Sequence, residues 1–304
     1  MKSFETTITK QDIHKVTELL ELGDIGFGSN VKVFEDRFSE YSTKKYNIGL
    51  NSASAAAYCL FAYLYDKHGS CDVYTPSLGF TSISWAAEKN GHRIIFVDVD
   101  DNLLFDFNSY EEQKENTTRK KVLLPVLYGG VSNIPNFNKQ VTDEIVVVDS
   151  AHCIQPTIKS NYIFFSFHPI KPLTMSCGGL LGTDDEEANE YICSYRNFGR
   201  ENVGDTYDIV NSGFNFYMNN LNATLGLSQL DSCFKNIEKI NKLYDEGYHI
   251  KYWTARGTVS KVDYYELTKS QLNKWEAKHH ELSVGEKPDY HLLICDRTKR
   301  IEEI

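Results

Sequence analysis

Short apolar runs alternate with stretches of helical pattern between residues 47 and 167. Such alternation is typical of an α/β domain with a mostly parallel central sheet. The most constraining run is EIVVVD at 144–149, because unbroken β-branched residues suit a strand that helices cover on both faces. The runs that predict strands are 47–50, 73–75, 94–97, 122–126, 145–148 and 162–167.

Two helices are predicted before the first of these strands. Thr9 and Asp12 have the spacing of a capping box, which opens an amphipathic helix that Gly23 ends. A second helix is predicted near 31–41. Four apolar residues of the first helix are predicted to share one face: Ile13, Val16, Leu19 and Leu20.

The charge of the chain argues against one class of partners. The formal net charge is −10 and the isoelectric point about 5.4, whereas non-specific binding of nucleic acid depends on clustered Lys and Arg. No segment of about 20 apolar residues predicts a membrane span, and the N-terminus lacks the pattern of a secretion signal. We therefore expect a cytoplasmic protein with no nucleic-acid or membrane partner. The seven cysteines are scattered and odd in number, which predicts reduced thiols.

Four separate segments make sense together as a pocket for an anionic, aromatic aldehyde. The first is NSASAA at 51–56, small residues between a strand and a helix. Backbone N–H groups at the positive end of a helix can hold a phosphate there, and Ser54 would add a hydroxyl. Taken alone, small residues at such a turn more often reflect tight packing.

The second and third segments each follow a predicted strand. Phe80 lies in a turn where an aromatic ring can stack on a flat heterocycle, although such a residue is by itself more typical of a core. Asp149 follows the strand 145–148, and a carboxylate beside a pyridine nitrogen keeps that nitrogen protonated and the ring electron-withdrawing. His152 would reach the phenolic oxygen of the same ring. The residues alone leave open the alternative that Asp149 caps a helix.

The fourth segment is FSFHPIK at 165–171, which ends in Lys171. A lysine in an apolar loop loses hydration, which lowers its pKa and favours the neutral amine that forms an imine with an aldehyde. A lone lysine is nearly always a solvated surface charge, so this interpretation depends on the other three segments. No metal site is predicted among them.

In their residues and in their order, these segments resemble the motifs of the DegT-type (DegT/DnrJ/StrS) family of pyridoxal-phosphate-dependent nucleotide-sugar aminotransferases. The similarity covers roughly residues 4–232. It rests on NSASAA at 51–56, TPSLGFTS at 75–82, FVDVD at 96–100, PVLYGG at 125–130, VVDSAH at 147–152, FSFHPIK at 165–171, YRNFGR at 195–200 and GFNFYMNNLNATLGLSQL at 213–230.

The resemblance implies an aspartate-aminotransferase-like (fold type I) large domain and pyridoxal 5′-phosphate as cofactor. Lys171 is implied to be the Schiff-base lysine and the general base and acid. Asp149 is implied to pair with the pyridine nitrogen, His152 to lie beside the ring oxygen, and Phe80 to stack on the ring.

The same resemblance assigns the phosphate of the cofactor to Ala53, Ser54 and Ser166. Asn215 matches an asparagine that reaches the phosphate of the neighbouring subunit, so a homodimer with shared active sites is expected. The sequence departs from the family pattern in having Ala53 where Gly is usual, Tyr217 where a basic residue is common, and Pro172 where Asn often follows the lysine.

The activity implied by the resemblance is transfer of an amino group, from an amino-acid donor such as glutamate, to a keto group of a nucleotide-linked deoxysugar. Family members with His in place of the lysine perform dehydration, so the presence of Lys171 favours transamination.

From about residue 234 the sequence departs from that family, whose members continue for well over a hundred residues to build a small domain. The tail resembles the later part of a haloacid-dehalogenase-like phosphatase, with a strand ending near Thr254, a helix, and a strand at 292–295. That superfamily implies that Thr254 binds phosphate, Lys287 offsets its charge and Asp296 helps to hold magnesium. No nucleophile-bearing DxD motif precedes them outside the aminotransferase-like stretches, so we predict no phosphatase turnover.

We therefore predict a fusion near Cys233. An aminotransferase-like large domain would occupy 1–232, and a partial phosphatase-like segment at 233–304 would replace its small domain. Two other functions stay open: a catalytically impaired cofactor-binding protein that assists an intact aminotransferase, and a phosphatase completed in trans by its missing half.

Overall fold

A seven-stranded sheet organises Val16–Leu227, the larger of the two units into which the chain divides. The computed structural model describes residues 8–115, 117–203, 206–254, 263–274 and 276–285. The strands of the sheet are β1 Tyr46–Leu50, β2 Asp72–Pro76, β3 Arg93–Val97, β4 Lys121–Leu123, β5 Ile145–Asp149, β6 Tyr162–Ser166 and β7 Gly179–Thr183. Their order is β1-β7-β6-β5-β4-β2-β3; β7 runs antiparallel to both of its neighbours, and the other neighbouring pairs are parallel.

The predicted α/β class with a mostly parallel sheet is confirmed. The six predicted strands correspond to β1 through β6, but the run at 122–126 is too long, because β4 ends at Leu123 and Val126 forms only an isolated bridge with Asp149. The sequence interpretation missed β7. Its residues, GLLGT, include a single β-branched side chain and two glycines, which weaken the strand signal.

Helices cover both faces of this sheet. The helices up to residue 195 are α1 Lys10–Leu22, α2 Ser29–Ser42, α3 Ala53–His68, α4 Thr81–Lys89, α5 Phe107–Gln113, α6 Phe137–Gln140 and α7 Glu186–Tyr195, with a 3-10 turn at Tyr128–Gly130. On β6, the ring of Tyr162 lies 6.4 Å from that of Tyr63 in α3, whereas the ring of Phe165 lies 4.9 Å from that of Phe38 in α2. Because side chains alternate between the faces of a strand, α2 and α3 pack on opposite faces.

The predicted capping box of α1 is confirmed. The Thr9 amide donates to Asp12 Oδ2 at 2.7 Å, the Asp12 amide donates to Thr9 Oγ1 at 3.2 Å, and Gly23 follows the helix with φ +74°. The predicted apolar face of α1 is buried only in part. Leu19 is buried, whereas Ile13 and Leu20 are each more than half exposed.

The smaller unit combines residues 1–15 with 228–304. Helix α8 Asn220–Asp245 runs without a break through the predicted junction, Cys233. It is followed by β10 Lys251–Thr254, α9 Tyr265–Lys274 and β11 Glu281–Val284, and the two strands pair in parallel. Before α8, the larger unit also carries a hairpin of β8 Arg200–Val203 and β9 Thr206–Ile209.

The phosphatase-like residues of the tail fall largely outside the described part of the chain. Thr254 ends β10, but its side chain is not described, and Lys287, Asp296 and the predicted strand at 292–295 lie outside the described residues. The phosphatase-like interpretation of the tail, and the boundary at 232, therefore stay predictions. Within the described ranges, no helix is long and apolar enough to cross a bilayer, and no three His, Cys, Asp or Glu side chains are grouped to bind a metal ion.

Candidate cofactor-binding site

The carboxyl edge of the parallel strands collects most of the predicted site residues. Asp149 is the last residue of β5 and Ser166 the last residue of β6, while Ala53 opens α3 just after β1. Phe80 is the N-cap residue of α4, shortly after β2. Because parallel strands end at the same edge, segments more than a hundred residues apart meet there, as is usual for ligand sites of open α/β sheets.

Asp149 is a buried carboxylate, and few groups of the protein stabilise its negative charge. Its side chain is 3% exposed, and its Oδ1 accepts a hydrogen bond of 2.9 Å from the Ala151 amide. Burial raises the pKa of the Asp149 carboxyl to about 6, although the Ala151 amide and the charge of Lys171 both oppose that rise. The carboxylate therefore lies in a site that favours an additional positive partner.

Lys171 is partly buried at the end of a turn, where its amide donates to the carbonyl of His168 at 2.8 Å. Burial lowers the pKa of the Lys171 amine, while the nearby Asp149 carboxylate raises it. The same environment lowers the pKa of His152 to about 4, first through burial and then through the charge of Lys171. The charge of Lys171 affects the pKa of both Asp149 and His152, so these two side chains lie near the Lys171 amine.

His152 is also held by an aromatic neighbour that the sequence interpretation did not name. Its ring lies 5.7 Å from the ring of Tyr128, in a tilted arrangement. Since the pKa of His152 is about 4, its imidazole is neutral at pH 7 and can act as one hydrogen-bond donor and one acceptor.

The turn before α3 has the local structure expected of a phosphate-binding turn. Ser52 caps the helix, its hydroxyl accepting from the Ala55 amide at 3.1 Å. The Ser54 hydroxyl lies 2.6 Å from that of Ser82 in α4, so the first turns of two helices meet here. Gly179 of β7 passes so close that a Cβ on it would clash with the Ser52 carbonyl carbon.

The sequence interpretation assigned no role to Ser82, which lies in α4 and contacts this turn through Ser54. A serine in the first turn of a helix carries no distinctive signal, and only the approach of α3 and α4 brings its hydroxyl to Ser54. Ser166, in contrast, was predicted, and its hydroxyl accepts a long hydrogen bond of 3.5 Å from the His168 amide.

Phe80 and Asp149 line one cleft of about 230 Å³, together with Trp85, Glu88 and Phe96. Phe80 is 73% exposed, which contradicts the alternative that it is a core residue. An exposed aromatic ring at the mouth of a cleft that holds a buried carboxylate is suited to stack on a planar ligand.

Asn215 lies beside the turn that follows β1. It is exposed, its carbonyl accepts from Asn51 Nδ2 at 3.1 Å, and its backbone forms a bridge with Asn197. The described contacts therefore connect Asn215 with the turn after β1, and its role in a neighbouring subunit stays a prediction.

Comparison with known proteins identifies the family to which the chain belongs. Residues 6–249 match the DegT/DnrJ/EryC1/StrS aminotransferase family. The spore coat polysaccharide biosynthesis protein SpsC of Bacillus subtilis is 31% identical over 260 residues, which cover 79% of this chain and 65% of SpsC. A UDP-4-amino-4,6-dideoxy-N-acetyl-β-L-altrosamine transaminase of Campylobacter jejuni is 27% identical over 256 residues, 79% of this chain and 67% of that protein.

Solved structures show the same fold. The putative sugar aminotransferase Spr1654 of Streptococcus pneumoniae, in its PLP form, superposes with a TM-score of 0.68 at 25% identity, covering 81% of this chain and 71% of its own. Helicobacter pylori PseC, an aminotransferase involved in the biosynthesis of pseudoaminic acid, superposes with a TM-score of 0.69 at 23% identity, covering 80% and 69% of the two chains. The chain spans about two thirds of the length of the curated relatives it matches. It belongs to the DegT/DnrJ/EryC1/StrS aminotransferase family.

Proposed function

We propose that this chain binds pyridoxal 5′-phosphate through Lys171 and transfers an amino group from a donor such as glutamate to a keto group of a nucleotide-linked deoxysugar. The observation that carries the proposal is the meeting of Lys171, Asp149 and His152, each of which has a pKa displaced by burial. Perturbed titratable groups at the carboxyl edge of a sheet mark a functional site. The named activity of the Campylobacter jejuni relative, a transaminase of a UDP-linked amino sugar, supports the substrate class.

The residues of the cleft fit the chemistry of the proposed cofactor. When bound, pyridoxal phosphate supplies an electron-withdrawing ring that stabilises negative charge at the reacting carbon. Asp149 would hold the ring nitrogen in its protonated form, because its buried carboxylate gains a positive partner in return. Phe80, which is 73% exposed at the cleft, would cover one face of the ring.

The phosphate would lie at the start of α3. Ser52 already satisfies the Ala55 amide, so the amides of the first residues, Ala53 and Ser54, are the ones left for an anion at the positive end of the helix. The Ser54 hydroxyl would donate to the phosphate and Ser82 would orient that hydroxyl, since the two oxygens lie 2.6 Å apart. Ser166, at the end of β6, would complete the cradle.

Lys171 would act as the base and acid that moves the proton between the substrate carbon and the cofactor carbon. Burial lowers the pKa of its amine, so a larger fraction is neutral near pH 7 than for a solvated lysine, and the neutral amine can accept a proton. His152 would stay neutral beside the ring oxygen, since its pKa is about 4. Its contribution is a hydrogen bond rather than a charge.

We further infer that the functional protein is a homodimer in which Asn215 completes the phosphate site of the other subunit. Asn215 is exposed, and the segments around it present large apolar side chains to solvent. These are Tyr207, Ile209, Val210 and Phe214, exposed by 51%, 63%, 55% and 48%. Large apolar side chains exposed close together in sequence are typical of a protein interface.

The proposed function is tested with one inactive variant and a matched control. Wild type mixed with pyridoxal phosphate is expected to gain a visible absorption band and to convert glutamate to its keto acid in the presence of a keto sugar linked to UDP. Lys171→Ala is expected to lose both the band and the turnover, whereas Lys139→Ala, an exposed lysine on α6, keeps them. A wild type without the band contradicts cofactor binding; a band without turnover supports the cofactor-binding protein that lacks catalysis.

Sharing of sites is tested by mixing. Lys171→Ala subunits and Asn215→Ala subunits are each expected to be inactive, but their co-refolded mixture is expected to regain up to about a quarter of the wild-type activity, because half of the dimers are mixed and each mixed dimer holds one intact site. A mixture that stays as inactive as its components contradicts the shared site.

A further inference from the structure

A buried ion pair lies beside the proposed site without belonging to it. Arg196, the C-cap residue of α7, places Nη1 2.5 Å from Oε1 of Glu35 in α2, and the side chains are 6% and 7% exposed. Burying two charges is costly unless their geometry and hydrogen bonds are good. Such a pair in the larger unit therefore calls for a structural or functional reason.

The pair contacts the edge strand of the sheet. Strand β1 is an edge strand that pairs with β7 on one side. On its other side the Gly49 amide donates to Glu35 Oε1 at 2.7 Å, and the Gly49 carbonyl accepts from Arg196 Nη1 at 2.5 Å. The two side chains thus hydrogen-bond to both backbone groups of Gly49, whose carbonyl also accepts from the Met218 amide at 3.3 Å. Gly49 lies two positions before the proposed phosphate-binding turn begins.

The backbone of Arg196 holds a second segment, the one that carries Asn215. The Phe216 amide donates to the carbonyl of Arg196 at 2.9 Å, and the Asn51 amide donates in turn to the carbonyl of Phe216 at 2.8 Å. Asn51 also donates through Nδ2 to the carbonyl of Asn215. Arg196 therefore contacts β1 through its side chain and the Asn215 segment through its backbone, and these two segments contact each other.

We propose that the Glu35–Arg196 pair is a positioning element for the phosphate of the cofactor: it fixes the turn at 51–54 relative to the segment that bears Asn215. This inference rests on the proposed function. The pair touches neither cofactor nor substrate, and it acts through Gly49 and Phe216. In the proposed homodimer, one such pair positions the phosphate-binding turn of its own subunit. It also positions Asn215, which would bind the phosphate in the other subunit, so each pair contributes to both sites.

The inference is tested by comparing two forms of vitamin B6 that differ only in the phosphate. Pyridoxal phosphate and pyridoxal are titrated against wild type, Glu35→Gln, and the double variant Glu35→Gln with Arg196→Met. The double variant removes both charges, and a fold often tolerates the exchange of a whole buried pair for neutral or apolar groups. It can therefore be measured even if the single variant does not fold.

We expect both variants to bind pyridoxal phosphate at least about tenfold more weakly than wild type, the loss that follows from one misplaced hydrogen bond to a charged group. Their affinity for pyridoxal, measured by reductive trapping, is expected to change by less than about twofold, because the ring contacts lie elsewhere. A general loss of structure would weaken both ligands alike, so the ratio of the two affinities distinguishes positioning from stability.

The matched control is Asp72→Asn, which breaks another buried carboxylate–arginine pair, Asp72 Oδ1 with Arg93 Nε at 2.8 Å, at the amino ends of β2 and β3. It is expected to lower the melting temperature and leave the ratio of affinities unchanged. Equal ratios in wild type and in the double variant overturn the inference while leaving the proposed function intact. A wild type that binds neither ligand overturns the proposed function, and the positioning role falls with it.

Discussion

Two buried aspartates at opposite ends of the same sheet show how this protein separates structure from function. Asp72 starts β2 and is fully buried, yet it is paired with Arg93 and Arg119 and accepts a hydrogen bond from Thr117. These partners outweigh burial and hold its pKa below the ordinary value. Asp149, at the end of β5, is also almost inaccessible to solvent, but its pKa is raised to about 6.

The difference lies in what the chain provides to each carboxylate. Asp72 receives two guanidinium groups from the chain itself, so its charge is satisfied in the folded protein. Asp149 receives one backbone amide and the charge of Lys171, an amine whose own pKa is lowered. A buried carboxylate with few positive or hydrogen-bonding partners lowers the stability of the folded protein, and a bound cation removes that cost. Functional sites commonly give up stability for binding in this way.

Removal of Lys171 is expected to have the largest effect. In Lys171→Ala the base that moves the proton is lost, so turnover should fall by about 10³-fold or more. The pKa of Asp149 should rise further, because one of the two groups that oppose its rise is gone. Steady-state release of the keto acid and titration of the carboxyl group by NMR measure the two effects. Turnover within tenfold of wild type contradicts the assigned role.

Exchange of Asp149 is expected to give opposite results for activity and stability. Asp149→Asn should lower turnover by about 10²-fold. The same change removes a buried, poorly compensated charge, so the cofactor-free protein should gain up to roughly 3 kcal/mol at pH 7, the equivalent of about two units of pKa. Denaturant unfolding without cofactor checks the gain; a loss of stability would contradict the account.

The pH dependence of stability should have opposite signs for the two aspartates. Because the folded-state pKa of Asp149 is raised to about 6, the folded protein binds more protons than the unfolded chain between about pH 4 and pH 6, and stability falls as the pH rises through that window. The pKa of Asp72 is lowered, so its contribution is present above its unfolded value and is lost as the pH falls through the folded value. Unfolding curves of Asp149→Asn and Asp72→Asn against wild type separate the contributions.

Cofactor affinity should follow the Asp149 carboxylate. Pairing with a protonated ring nitrogen needs the ionised form, so affinity for pyridoxal phosphate should decline as the pH falls below about 6, by up to tenfold per unit. Asp149→Asn should remove this dependence and Asp72→Asn should keep it. If Asp149→Asn retains the wild-type profile, the dependence belongs to another group.

The smallest expected effect distinguishes two serines at the proposed phosphate site, Ser52 before α3 and Ser82 in α4. Ser82→Ala should weaken cofactor binding by about threefold to tenfold, since it removes the hydrogen bond that orients Ser54. Ser52→Ala should instead lower stability by about 1 kcal/mol, because it removes the helix cap. Equal effects of both variants on affinity would contradict this division of roles.

Much of the site was accessible from the sequence because its residues sit directly after strands with clear patterns. The unbroken EIVVVD run located Asp149 at the end of β5, and the apolar loop around Lys171 predicted its lowered pKa. Both rest on local sequence, and the order of the motifs joined them into one site. The sequence left open whether Phe80 is a core residue, and its exposure in the structure shows that it is not. The sequence could not decide this, because burial depends on the whole fold.

The features that sequence reasoning missed depend on contacts between distant segments. Strand β7 has a glycine-rich sequence that is a strand only because β1 and β6 pair with it on both sides. Ser82 gains its place from the approach of two helix ends, and the partners of Glu35 lie 14 and 161 residues away. A local sequence pattern cannot predict contacts between residues that are so far apart along the chain.

The most direct test of the account is where the cofactor becomes fixed to the chain. Wild type incubated with pyridoxal phosphate, reduced with borohydride and digested, is mapped by peptide mass spectrometry. We predict that the mass of the reduced cofactor is found on the peptide containing Lys171 and that Asp149→Asn lowers its yield. Attachment to another lysine, or unmodified Lys171 at saturating cofactor, would contradict the claim that this amine and the under-compensated Asp149 together form the site.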